Sequence, residues 1–160
     1  MKFLRSPKPD SAGRPFVFLI TKRERAVLLA TLKMFPLLDA GYHKLSRDPK
    51  ATSKAEQQWL EEAMQQQQED HKKRLGQLFS GERRFFKEEK GDSRLTLNGE
   101  QIEWMQRVLN EVRVGSWVRL GCPEMEEAAR LSLSSEKARF VASMELSGYF
   151  ESVLLEAFSG

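Results

Sequence analysis

Apolar residues recur at helical spacing between residues 102 and 120. When Ile102 is placed at zero and about 100° is added per residue, one group of side chains falls within an arc of about 80°. Its members are Ile102, Met105, Leu109, Val112, Ser116 and Leu120. Charged residues at 103, 107 and 111 fall on the other side. The pattern predicts a central amphipathic helix over Asn98–Leu120, with Asn98 and Gln101 as a capping box and Gly121 as its stop.

One charged residue, Arg113, falls inside this apolar stripe, at about 20° from Ile102. Arginine is rarely buried alone, because an unpaired buried guanidinium costs several kcal/mol. We therefore expect a carboxylate or several backbone carbonyl oxygens opposite Arg113, and a loss of several kcal/mol in Arg113→Ala. Four interpretations stay open: a structural clamp, a head group that reaches past the edge of the stripe, a contact for an anionic ligand, or a wrong helical phase.

The N-terminal part combines short β-prone runs with a helix. Phe3 to Arg5 and Phe16 to Ile20 predict a hairpin, because the segment between them is rich in proline, serine and glycine. Thr21 and Glu24 then have the spacing of a capping box that opens a leucine-rich helix. Pro36 is expected to kink this helix or to begin a second helical piece before Gly41.

A loop is predicted from Gly41 to Thr52, followed by a long helix from Lys54 to about Phe79 with Ser53 and Glu56 as its capping box. The middle of this helix is almost entirely polar. We expect it to be solvated, or to span between chains of an oligomer, with His71 in water. Phe85 and Phe86 are expected in a loop, with their rings either tucked into the core or exposed.

The C-terminal part begins after a break at Cys122 and Pro123. Leu95 to Leu97 predicts a third short strand before the central helix, and residues 124 to 131 predict a short acidic helix after it. Ser134 or Ser135 is expected to cap a last, deeply packed helix. Within it, Gly148 either permits a close helix approach or is simply tolerated.

Composition agrees with a single domain over residues 1–160, mainly α, with about four to five helices and a small N-terminal antiparallel hairpin or sheet. The 160 residues are 40% hydrophobic and 31% charged, as in ordinary globular proteins. The longest early apolar run, Phe16–Ile20, is too short for a signal sequence or a membrane span, and the single cysteine allows no intrachain disulfide. Cytoplasm is therefore the expected location.

The net charge of +3 hides an asymmetry, because residues 1–54 carry +8 and the remainder carries −5. The basic third could meet nucleic acid, an anionic partner or the acidic part of the same chain, and we favour the last. Sequence motifs for catalysis are missing. His43 and His71 have no second ligand at a metal-binding spacing, adjacent glutamate pairs point to different sides of a helix, and Cys122 has no histidine nearby in sequence.

The segment Leu95–Gly121, LTLNGEQIEWMQRVLNEVRVGSWVRLG, resembles the conserved portion of a bacterial family of uncharacterised domains. The matching positions are Trp104, Leu109, Asn110, Arg113, Arg119, Leu120 and Gly121. A strand followed by Glu24, Arg25 and a leucine-rich helix is also similar. The chain departs from the family at Trp117, where a small residue commonly stands. Genes of this family often lie near that of the Clp protease adaptor, and some members carry a regulator label, so the resemblance implies a regulatory or quality-control setting without an assigned activity.

The sequence favours a non-enzymatic protein-interaction or regulatory domain. Its candidate contact residues are Asn110, Arg113, Trp117 and Arg119, in the second half of the central helix, and its partner would be another protein or a second copy of the chain. Arg119 also suits the dipole at the helix end. The alternative is a nucleic-acid-binding regulator that uses the basic third, and a third class is an enzyme with an arginine and carboxylate pocket. No cofactor, metal ion or membrane association is predicted.

Overall fold

The fold is mainly α with a small antiparallel sheet, as the sequence predicts. The computed structural model describes residues 1–5, 15–38, 53–80, 85–87, 92–124, 126–127, 130 and 136–159. Its elements in chain order are β1 (Lys2–Arg5), β2 (Phe16–Ile20), α1 (Lys22–Leu32), α2 (Lys54–Ser80), β3 (Phe85–Lys87), β4 (Ser93–Leu97), α3 (Gly99–Arg119) and α4 (Ala138–Ser159). No helix within these ranges has both the length and the apolar character needed to cross a membrane.

The four strands form one sheet in the order β1-β2-β4-β3, with every neighbouring pair antiparallel. The predicted hairpin of β1 and β2 is confirmed, and so is the strand over Leu95–Leu97. The expectation of a loop at Phe85 and Phe86 is wrong, because these residues pair with β4 as an edge strand. Side chains alternate along β4, and Ser93, Leu95 and Leu97 are buried. One face of the sheet therefore covers the core.

The helix starts follow the capping chemistry of the sequence. Thr21 Oγ1 accepts from the Glu24 amide at 3.1 Å, and Asn98 Oδ1 accepts from the Gln101 amide at 2.9 Å, each with the reciprocal bond of a capping box. Ser53 and Glu56 make the same pair of bonds at the start of α2. At the other end of α3, Gly121 has φ +88°, which a side chain would strain.

The core lies between the sheet and helices α1, α3 and α4. Trp104, Val108, Leu109 and Val112 of α3 are almost fully buried, and α3 packs most extensively against α4. Aliphatic and aromatic side chains from the other elements complete it, among them Phe18, Ile20, Leu28, Leu32, Leu95, Leu97, Phe150 and Leu154. Burial of this size is the main favourable term for folding, so α3 is central to the domain as predicted.

The segment after α1 departs from its prediction. We call residues Phe35–Leu38, which include the cis peptide bond between Phe35 and Pro36, the wall segment. It contains no helix, and α1 ends at Leu32, so neither a kinked helix nor a second helical piece forms up to Leu38. The residue before a proline disfavours helical backbone angles. In addition, Leu37 packs so closely on α3 that a Cβ added at Gly115 would lie 2.7 Å from Leu37 Cβ.

The wall segment is fixed by side chains of two helices. Arg119 of α3 donates from Nε and Nη2 to the carbonyl oxygen of Leu37, at 3.2 and 3.0 Å. Gln68 of α2 donates from Nε2 to the carbonyl oxygen of Leu38 at 3.1 Å. These bonds satisfy backbone acceptors that have no strand or helix to join.

Gly148 of α4 does not provide a close helix approach. A Cβ added there would meet only Cδ of Arg113, at 3.9 Å, which is an ordinary contact. The close approach occurs instead at Gly115. The predicted loop at 41–52, the serine cap of the last helix and most of the acidic helix at 124–131 lie outside the described residues.

Gly115 and Gly148 give opposite expectations for substitution by alanine. Gly115→Ala should lower the free energy of unfolding by about 1–2 kcal/mol, because Leu37 Cβ is fixed to its backbone and cannot swing away. Gly148→Ala should leave stability unchanged or raise it by about 0.5–1 kcal/mol, since alanine favours helix and has room. Urea denaturation of both variants measures the difference, and equal midpoints would contradict the close contact.

Candidate functional site

Arg113 lies at the edge of the buried surface of α3, where its side chain is 44% exposed. The expectation that it is buried within the stripe is wrong. Trp104, Val108 and Gly115 are buried, so the covered arc extends toward their side of the helix and leaves Arg113 at its border. The expected carboxylate is nevertheless present, because Nε of Arg113 lies 3.2 Å from Oε2 of Glu151 on α4.

Arg113 also donates from Nη2 to Oδ1 of Asn110 at 2.7 Å. Asn110 and Arg113, two of the four candidate residues, are therefore bonded to each other, and Arg113 is also paired with α4. Burial raises the pKa of the Glu151 carboxyl, and the Arg113 guanidinium lowers it in part. With its charge already opposed by Glu151, Arg113 has the geometry of a clamp between α3 and α4, and the expected loss of several kcal/mol on its removal is too large for a half-exposed pair.

Trp117 and Arg119 lie apart from this pair. The Trp117 indole is 42% exposed, and its Nε1 donates to the carbonyl oxygen of Pro123 at 3.1 Å. Arg119, also exposed, holds the wall segment through Leu37. The four residues thus form no single cluster, although all of them lie along the second half of α3.

The structure contains a partly open pocket between the wall segment, α2 and α3 that the sequence did not predict. Its volume is about 210 Å³. Its lining is mainly apolar and comprises Phe35, Pro36, Leu37, Leu38, Met64, Gln67, Gln68, His71, Asn110, Glu111 and Val114. Asn110 is the one candidate residue in this set. Apolar enclosure with a few placed polar groups is the usual form of a binding site.

His71 contradicts its prediction as a solvated residue, because only 8% of it is exposed. Its ring packs 5.3 Å from the ring of Phe35 and edge-on to Trp104 at 6.3 Å, measured between centroids. The residues next to His71 in the sequence are polar, and for this reason its burial was not predicted. The only sequence signal was its place on the same helix side as Met64, Leu75 and Leu78, which lie seven residues before it and four and seven after it.

The surroundings of His71 favour the neutral form of its ring. Burial lowers the pKa of the imidazole first, the charges of Arg107 and Arg74 lower it further, and Asp70 offsets part of this. Its Nδ1 is buried and has no hydrogen-bond partner among the described residues. Leaving such a group unpaired costs about 1–3 kcal/mol.

A second, shallower cleft runs between α3 and α4. It is lined by Glu103, Gln106, Arg107, Asn110, Glu151 and Leu155. An arginine and carboxylate enzyme site would need Arg113 to face such a cleft, but Arg113 is absent from its lining and engages Glu151. Within the described part of the chain, no group of three His, Cys, Asp or Glu side chains is placed to hold a metal ion.

Part of the basic third is exposed, including Lys2, Lys22 and Arg23. Lys8 and Arg14 lie outside the described residues, so docking of this third on the acidic part of the chain, or on nucleic acid, stays a prediction. Comparison with known proteins gave no match to a protein family, a curated protein or a solved structure. The resemblance of Leu95–Gly121 to the bacterial family likewise stays a prediction.

Removal of Arg113 tests its role as a clamp. Arg113→Ala should cost about 1 kcal/mol or less in unfolding free energy, as for other partly exposed pairs. It should also raise the pKa of Glu151 further, because the guanidinium that lowers it is gone. A carboxyl whose folded pKa is raised stabilises the fold below its unfolded pKa, and this contribution is lost as pH rises through the folded pKa.

Carbon-13 NMR titration of the Glu151 carboxyl in both proteins gives the shift, and urea denaturation gives the stability. Arg107→Ala is the matched control, because Arg107 and Glu103 are 65% and 60% exposed and lie 3.9 Å apart. This control should leave the titration of Glu151 close to that of the wild type. A loss of several kcal/mol in Arg113→Ala would contradict the clamp and support a buried arginine.

Proposed function

We propose that this chain is a non-enzymatic protein-interaction module that accepts one apolar side chain of its partner in the pocket between the wall segment, α2 and α3. The observation that carries the proposal is the mainly apolar pocket itself. Protein interfaces commonly depend on a few bulky side chains that insert into well-packed pockets of the other protein. The candidate residues then act around the pocket rather than as one contact cluster.

The volume of the pocket favours a single anchor side chain. Sites for drug-sized ligands and cofactors occupy about 300–1,000 Å³. An apolar cavity of about 150 Å³ accommodates benzene. At about 210 Å³, the pocket lies below this range and suits one aromatic ring with its attachments.

The entrance of the pocket carries exposed apolar surface. Val114, which lines it, is 39% exposed, and Trp117 stands one helical turn further along α3. The hydrogen bond from Trp117 Nε1 to Pro123 fixes one edge of the indole. A rigid tryptophan beside an apolar pocket suits an interface, where aromatic residues are enriched.

Each of the other candidate residues supports this surface. Arg119 holds the Leu37 carbonyl and thereby one wall of the pocket. Arg113 orients the Asn110 amide at the pocket margin through its bond to Oδ1. A module of this kind also fits the regulatory setting that the family resemblance implies.

The proposal is tested by selecting peptides that bind the wild-type protein from a displayed library of random sequences. Selected peptides should share a bulky apolar residue, and Val114→Glu should weaken their binding by about tenfold or more, because it replaces an exposed apolar lining residue by a carboxylate in addition to that of Glu111. Fluorescence polarisation of labelled peptides measures the affinities.

Leu155→Glu is the matched control for this variant. Leu155 is an apolar residue of α4 that is 54% exposed and does not line the pocket. This control should bind the peptides as the wild type does. No enrichment of peptides, or equal loss of affinity in both variants, would contradict the pocket as the interaction site.

A further inference from the structure

A third cleft, between the wall segment, α3 and α4, contains two arginines. We call it the arginine cleft, and its volume is about 390 Å³. It is lined by Met34, Pro36, Leu37, Arg119, Arg139 and Phe140. It shares Pro36 and Leu37 with the pocket of the proposed function and no other lining residue. Its lining contains two positively charged side chains and no acidic one.

Both arginines are held by contacts that leave their charge unopposed. Arg119 uses two of its five N–H donors on the Leu37 carbonyl oxygen, which carries no net charge. The guanidinium carbon of Arg139 lies 4.5 Å from the centroid of the Phe140 ring. Among the described residues, neither guanidinium pairs with a carboxylate, whereas Arg113 pairs with Glu151. The cleft therefore presents two positioned guanidinium groups with free donors, which is the arrangement that binds oxyanions.

The position of Arg139 is not explained by the stability of its own helix. α4 begins at Ala138, so Arg139 lies in the first turn, where the helix dipole favours negative side chains. This turn contains no acidic residue. Glu136 lies just before the helix, but it is exposed and does not line the cleft. An anion in the cleft would offset a charge that the helix itself disfavours.

The rest of the lining is apolar and partly accessible. Met34, Pro36, Leu37 and Phe140 are each half-buried. Ser143 Oγ donates to the sulfur of Met34 at 2.8 Å, so Met34 is held against α4. Small-molecule sites occupy about 300–1,000 Å³, and the arginine cleft falls within this range. A ligand that fits both parts of the lining has an anionic group and an apolar body.

We propose that the arginine cleft binds a small phosphate monoester, with the phosphate group between Arg119 and Arg139 and the apolar part on Met34 and Phe140. This inference does not depend on the proposed function. A phosphate monoester carries about −1.5 to −2 charges at pH 7 and three strong acceptor oxygens, so its charge matches that of two arginines. A carboxylate carries one negative charge and would leave one guanidinium unopposed.

Two probes of equal shape test the match of charge. Phenyl phosphate and phenyl sulfate each join a benzene ring to a tetrahedral oxyanion, and near pH 7.5 the phosphate carries about one more negative charge. Titrated into the wild-type protein at about 0.15 M salt, phenyl phosphate should shift the backbone amide NMR signals of Met34, Leu37 and Phe140. It should bind about tenfold more tightly than phenyl sulfate. Inorganic phosphate, which lacks the ring, should bind more weakly than phenyl phosphate.

Arg139→Gln tests the cleft itself. It should weaken phenyl phosphate binding by about tenfold, because it removes one of the two charges. The fold should tolerate this change, since the Arg139 guanidinium makes no hydrogen bond or ion pair among the described residues. Arg107→Gln is the matched control. It removes the same charge from a side chain of α3 that is 65% exposed and does not line the cleft, so binding should stay as in the wild type.

Three results would overturn the inference. Equal affinity for phenyl phosphate and phenyl sulfate contradicts a site built for a dianion. Equal loss in Arg139→Gln and Arg107→Gln shows that the probe follows the net charge of the protein and not the cleft. Binding of inorganic phosphate as tight as that of phenyl phosphate contradicts the role of Met34 and Phe140. None of these results bears on the peptide selection, so the proposed function stands or fails separately.

Discussion

The close packing of Leu37 on Gly115 is the contact on which the described architecture around the pocket depends. A side chain at position 115 would meet Leu37 Cβ at 2.7 Å, so only glycine lets the wall segment lie directly on α3. Once the segment is there, its carbonyl groups come within reach of Arg119 and Gln68. Displacement of Leu37 would both break these hydrogen bonds and open one side of the pocket.

The wall segment also shows how a short irregular stretch stays ordered inside a helical domain. Its backbone carbonyls are bonded to side chains of α3 and α2 instead of to a neighbouring strand. Pro36 contributes no N–H group, which leaves one donor fewer to satisfy. Because two helices hold one segment, a change in either helix alters the same pocket.

Charge has different roles on the two sides of α3. Toward α4, Arg113 and Glu151, with side chains 44% and 17% exposed, form a pair that connects the helices and for which we expect a small net contribution to stability. Toward α2, burial of the ring and the charges of Arg107 and Arg74 lower the pKa of His71 and favour its neutral form. In the first arrangement Glu151 opposes the charge of Arg113, and in the second the neutral form of His71 is favoured beside a mainly apolar pocket. Binding of a neutral group in that pocket therefore agrees better with the structure than binding of an anion there.

The sequence by itself determined the local elements of this protein. Capping pairs such as Asn98 and Gln101, the glycine stop at 121 and the apolar period of α3 are interactions between residues close in the chain, so their spacing predicts them. The tertiary structure alone decided the burial of His71, the exposure of Arg113 and the pairing of β3, because each depends on which distant element covers it. The pocket belongs to this second class. Its walls come from three separate parts of the chain, and no periodicity within one helix encodes the packing of Leu37 against a glycine 78 residues away.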